Sequence, residues 1–126
     1  MGLANGDVRI PEGSPSSLLR DLHIKFVSGY SAKDNYEYVM SEFLRINGIY
    51  WSVTLMDLIG SRERLGDPKE MFTYVRECFD PESGGYRPAP RHDPHLLYTL
   101  SAIQIAVLYD ALHIIPKARK NRIIQF

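Results

Sequence analysis

Two stretches of this chain are apolar on nearly every side of a helix. Ile49, Tyr50, Val53, Leu55, Met56, Leu58 and Ile59 cannot share one narrow stripe of a helix with about 3.6 residues per turn. Leu96 to Leu112 has the same character, broken by Thr99, Ser101, Gln104 and Asp110. Such a helix is stable only when neighbours cover it on more than one side. The two stretches also share a spacing. Tyr98 follows Tyr50 by 48 residues, and Pro116 follows Pro68 by 48. At the same offset Leu55 meets Ile103, Val75 meets Ile123, and Pro68-Lys69 meets Pro116-Lys117. The unit is a buried helix, a loop, a capped and more exposed helix, then a return loop. That is an αα-hairpin array, with chance coincidence as the alternative for two copies. The second copy stops before its return loop recurs, so the chain is expected to be part of a longer helical-repeat protein.

The rest of the chain agrees with an all-α reading of five or six helices and no sheet. Residues 1–14 read as a flexible arm punctuated by Gly2, Gly6, Pro11 and Gly13. Ser14-Pro15 predicts a helix start, followed by Leu18, Leu19, Leu22 and Phe26 and ended by Gly29. Lys33, Asp34 and Asn35 open a second helical stretch, and Asn47-Gly48 is read as the break before the buried helix 49–59. Gly60 stands where a C-terminal cap would lie. Asp67-Pro68-Lys69-Glu70 is the clearest local signal: cap, proline in the first turn, and a carboxylate three residues after the cap. Residues 80–91, DPESGGYRPAPR, form a loop, and Asp93-Pro94 repeats the cap-plus-proline start. Residues 15–126 are taken as one domain.

Charge removes several function classes. Fifteen Lys+Arg balance fifteen Asp+Glu, which argues against a nucleic-acid binder or a polybasic membrane anchor. No stretch is apolar for the roughly 18–20 residues of a membrane span. The single cysteine, Cys78, excludes an intrachain disulfide and a Cys-only zinc site and suits a cytoplasmic protein.

Few residues offer chemistry. His92, Asp93 and His95 are metal-ligand types, but they read as a capped helix start with Asp93 at the cap. Cys78 lies on the apolar face of the helix after Asp67 and reads as a core thiol rather than a nucleophile. Ser83-Gly84-Gly85-Tyr86 lacks a Walker lysine and a preceding strand, so it reads as a tight return loop. Tyr30, Tyr36 and Tyr38 read as packing residues, and Lys117, Arg119, Lys120 and Arg122 as a solvated terminal face. No catalytic residue and no metal ligand are assigned.

The strings SGGYRPAPRHDPHLLYTLSAIQIAVLYDAL, DNYEYVMSEFLRINGIYWSVTLMDLIG and HDPHLLYTLSAIQI carry a resemblance. The first resembles a repeat of the protein prenyltransferase β-subunits. All three together look like the N-terminal part of the Rab geranylgeranyltransferase (type II) β-subunits, over residues 15–115. The resemblance implies an α-α barrel (an α/α toroid) with two rings of helices around an apolar funnel, here incomplete. It implies transfer of a geranylgeranyl group from geranylgeranyl diphosphate to Rab cysteines. The implied partners are a prenyltransferase α-subunit and a Rab protein held by a Rab escort protein. It also implies a Zn2+ ion held by an Asp-x-Cys pair and a later His, whereas Cys78 here follows Arg76-Glu77. No zinc ligand carries over, and the chain alone is expected to be inactive. What carries over is apolar: Trp51 and Leu100 match positions near the floor of the funnel, and Asn47 matches a small residue that sets how long a lipid fits. The alternatives are a truncated helical module that only binds the α-subunit or lipid, and an unrelated helical-repeat scaffold. Arg91 stands where the family has a small residue.

Overall fold

The computed structural model describes residues 9–30, 36–115 and 117–125. Its helices are α1 (Arg20–Tyr30), α2 (Tyr36–Met40), α3 (Arg45–Leu58), α4 (Pro68–Glu77), α5 (Leu96–Leu108) and α6 (Lys117–Gln125). Short 3-10 turns, Glu42–Leu44, Arg62–Leu65 and Leu112–Ile114, punctuate the ends of the long helices. Among the described residues there is no strand, only an isolated antiparallel bridge between Phe79 and Tyr86.

Local signals place α4. Asp67 Oδ1 accepts the Lys69 amide at 2.9 Å and Pro68 occupies the first turn, satisfying a donor that the helix cannot satisfy itself. Elsewhere tertiary contacts override the local code. Asn47-Gly48 lies inside α3 rather than before it. Ile46 is fully buried and donates its amide to the Pro88 carbonyl at 3.1 Å, and the Asn47 side chain is tied across to α5. Those contacts outweigh the turn preference of the pair, and the break falls instead at Met40–Leu44. The expected opening at Lys33, Asp34 and Asn35 lies outside the described residues. α1 begins at Arg20 and not at Ser14-Pro15, because the Ser14 amide turns back to the Pro11 carbonyl at 3.1 Å. Residues 9–23 are exposed throughout, so no burial rewards a longer helix.

The cap of α5 also differs from expectation. His95, not Asp93, is the cap: it is extended (φ −150°, ψ 152°) and its Nδ1 accepts the Leu97 amide at 3.1 Å. The His95 carbonyl takes the Tyr98 and Thr99 amides. Asp93-Pro94 repeats the Asp67-Pro68 pattern, but the His95 amide is tied to the Tyr86 carbonyl at 3.1 Å, and the helix begins only after that anchor, at Leu96.

α3 and α5 lie side by side and parallel. Ser101 Oγ donates to Asn47 Oδ1 at 2.8 Å and Gln104 Nε2 donates to Tyr50 Oη at 3.2 Å. Both bonds join residues 54 apart, which is possible only if the helices run in one direction. α1 runs against them. Its first residue, Arg20, donates to the Ile59 carbonyl (2.7 Å) and to Ser61 Oγ (2.8 Å) at the end of α3. Its last residue, Tyr30, bonds Ser41 near the start of α3 at 2.8 Å. The core lies between this parallel pair and α4: Ile46, Val75, Cys78, Tyr86, Ala102 and Ile105 are buried together, with Met71 and Tyr74 against them.

The two units end their long helices alike, at an offset that differs from the expected 48. Ser61 donates to the Met56 carbonyl, and Ala111 to the Ala106 carbonyl. Gly60 and Asp110, fifty residues apart, both take left-handed backbone (φ 62° and 49°) as C-terminal caps. The ends of the inner helices therefore correspond at an offset of fifty, while the first residues of α4 and α6, Pro68 and Lys117, stand 49 apart. The connection after α5, residues 109–116, is one residue shorter than the one after α3, residues 59–67.

Candidate functional site: an apolar wall on α3 and α5

Successive helix residues turn by about 100°. With the Asn47–Ser101 and Tyr50–Gln104 pairs marking the seam, Trp51 and Leu58 on α3 fall on the same side as Leu96, Leu100 and Val107 on α5. The opposite side of the pair carries Ile46, Val53 and Ile105 into the core. The first side is uncovered: Trp51 is 56% exposed, Leu58 81%, Leu100 50% and Val107 55%. This accounts for two helices that are apolar nearly all round. One face packs on the outer helices, and the other forms a wall. The Asp and Arg side chains of α3 are Arg45 and Asp57, with Asp57 paired to Arg62, and α5 has no charged side chain. Covering such a surface is favourable by about 0.8 kcal/mol for each methylene removed from water. It offers no acid, base or nucleophile.

The three residues singled out by sequence are placed differently. Trp51 and Leu100 stand on the wall, half exposed. Asn47 is withdrawn into the seam, 1% exposed, with Nδ2 enclosed and without a hydrogen-bond partner. Its partner Ser101 and the Tyr50–Gln104 pair were missed by sequence reasoning. The signal was there: two polar positions three apart on each helix, 47 and 50 facing 101 and 104.

The ionisable groups are engaged elsewhere. His92 Nε2 lies 3.2 Å from Glu42 Oε2, joining the loop before α5 to the turn before α3. Burial pushes the Cys78 thiol up to about 12, so at neutral pH it is a protonated core group. The terminal basic cluster is partly absorbed into the fold. Arg122 donates to the Pro81 and Glu82 carbonyls, and Arg119 lies 4.7 Å from the centre of the Phe79 ring. No three His, Cys, Asp or Glu side chains come together among the described residues. With Cys78 buried and protonated, His95 Nδ1 committed to a cap and His92 held by Glu42, these side chains do not fit a zinc site. No helix among the described residues is long and apolar enough to cross a membrane.

Two parallel helices, α3 and α5, with α1 antiparallel to them, are arranged as αα-hairpin repeats are. Residues 18–126 match the prenyltransferase alpha-alpha toroid domain, and the chain belongs to that family. Its relatives narrow the class. The probable geranylgeranyl transferase type-2 subunit beta of Caenorhabditis elegans is 44% identical over 112 residues, which is 88% of this chain and 33% of that protein. The geranylgeranyl transferase type-2 subunit beta of Saccharomyces cerevisiae is 43% identical over 111 residues, 87% of this chain and 34% of that protein. Geranylgeranyl transferase type-2 subunit beta 1 of Arabidopsis thaliana is 38% identical over 91 residues, 70% of this chain and 27% of that protein. The chain spans about a third of the length of the first two.

Proposed function

We propose that this chain supplies part of the isoprenoid-binding wall of a type-2 geranylgeranyltransferase β-subunit. In this reading residues 15–126 are the first hairpin repeats of the toroid, behind an arm of residues 1–14. The whole enzyme transfers a geranylgeranyl group from geranylgeranyl diphosphate to Rab cysteines in the cytoplasm, with an α-subunit and a Rab escort protein as partners. The zinc ion of that reaction holds the incoming sulfur as thiolate, on ligands other than the side chains described above. This chain's own part is binding: Trp51 and Leu100 line the lipid, and Asn47 bears on its length. The observation that carries the reading is the uncharged, uncovered face shared by two parallel helices.

Grafting tests it. Residues 18–126 replace the matching stretch of the Saccharomyces cerevisiae relative, and the product is paired with its α-subunit and given Rab and escort protein. Transfer of labelled geranylgeranyl is expected from the graft, and none from the 126-residue chain with the same partners. Trp51→Ala in the graft should raise KM for the diphosphate and leave KM for Rab unchanged. A graft that binds the α-subunit but transfers nothing, or transfer by the chain alone, overturns the reading.

A further inference from the structure

At Asn47 the resemblance and the geometry part. The resemblance gives position 47 a direct influence on lipid length through its size. In the folded chain Asn47 is 1% exposed even though the wall beside it is uncovered. Its side chain faces the seam with α5 rather than the open side of the wall. Its carboxamide meets α5 instead, with Oδ1 accepting from Ser101 Oγ at 2.8 Å and Nδ2 enclosed without an acceptor. Ser101 is itself 4% exposed and immediately follows Leu100, while Trp51 stands one turn beyond Asn47.

We infer that Ser101 is a positioning residue: its bond to Asn47 fixes how α5 sits against α3, and so how much room Leu100 and Trp51 leave for the end of an apolar chain. The inference rests on the wall reading above. A slide of one residue, about 1.5 Å along the axis, would break this bond inside an apolar seam, where a stranded polar atom is costly. The Tyr50–Gln104 pair is only part-buried and longer, at 3.2 Å, and so constrains the seam less. Asn47 already carries one unsatisfied donor. Losing Ser101 strands its oxygen as well, so the two side chains act as a unit.

The test uses the active graft, comparing kcat/KM for geranylgeranyl (C20) and farnesyl (C15) diphosphates. Ser101→Ala and Asn47→Ala should each shift the C20-over-C15 preference in the same direction. The expected shift is about two- to ten-fold, the range that one neutral hydrogen bond commands. The double variant should shift it no further than either single change. The exchanged pair, Asn47→Ser with Ser101→Asn, restores the bond with its partners reversed and should keep the original preference. If Ser101→Ala leaves the preference unchanged, if the effects add, or if the exchanged pair behaves like Asn47→Ser alone, the size of residue 47 is the gauge and the inference fails. Where Ser101→Ala loses α-subunit binding, the exchanged pair decides. An unsubstituted graft without transfer is a separate result that removes the wall reading itself, and this inference with it.

Discussion

Arg91 has a φ of 73° in the loop that closes over the start of both inner helices. A left-handed backbone costs a residue with a Cβ about 1–2 kcal/mol, which glycine avoids at some expense in chain entropy. Arg91→Gly should therefore stabilise the loop by about 0.5–1 kcal/mol. Hydrogen exchange at the Ile46 amide, which donates to Pro88, should slow by about two- to five-fold. Unchanged or faster exchange would show that the arginine makes compensating contacts. Gly84 is the opposite case. Its φ is 89°, and a Cβ there would meet the Arg122 carbonyl oxygen at 2.7 Å. Gly84→Ala forces α6 away from the return loop, at a cost of about 2–4 kcal/mol. Tryptic cleavage after Lys120 and Arg122 should accelerate more than ten-fold, and an unchanged rate would mean that α6 does not rest on this loop.

The helices differ in how openly the sequence announces them. α4 was readable because its signals are local: a cap, a proline and an apolar stripe within a dozen residues. The inner helices were readable as buried, but not in their bounds. Asn47-Gly48 carries a turn preference that the Pro88 carbonyl and Ser101 override from far along the chain. His95 takes the capping role through a ring nitrogen, which composition does not reveal. Trp51 and Leu100, singled out by resemblance, are half exposed on one side of the α3–α5 pair. The burial of Asn47 was not foreseeable, since it depends on which way α5 runs. The return loop between α4 and α5 has a pH dependence of its own. Asp80 accepts the Ser83 amide at 3.0 Å and the Arg87 guanidinium at 2.6 Å. Its carboxyl is held below the ordinary range, first by the bonds from Ser83. The folded value lies below the unfolded value of about 3.9, so the stabilisation is complete above that pH and is lost as pH falls through the folded value. The urea midpoint of the helical signal should fall between pH 5 and pH 2, and Asp80→Asn should make that fall smaller. An equal fall in the variant would assign the acid sensitivity to other carboxylates.

At the scale of the whole molecule, two of the apolar surfaces open among the described residues stand out. One is the wall on α3 and α5. The other is the row Leu18, Leu22 and Phe26, whose members are 61–65% exposed. Uncovered apolar patches beyond a few hundred Å² mark interfaces. The 126-residue chain is expected to be helical yet self-associating at micromolar concentration, which sedimentation velocity would reveal. Trp51→Glu with Leu100→Glu should move it toward monomer without loss of helical signal. A monodisperse unsubstituted monomer with a sharp cooperative melt would mean that these faces need no neighbour. The parallel pairing of α3 with α5 also sets an order of events. Two antiparallel helices can meet as soon as a short turn is made, but Asn47 waits for a serine 54 residues further along. At a synthesis rate of about 5–20 residues per second, that wait lasts roughly 3–10 seconds. During it α3 has α1, α2 and the emerging α4 beside it among the described elements. The 54-residue span costs only slightly more loop-closure entropy than the 39 residues between Arg20 and Ile59, so the order follows from synthesis rather than from loop length. On a ribosome, α1 and α3 are together first, and the α3–α5 seam forms only when α5 arrives.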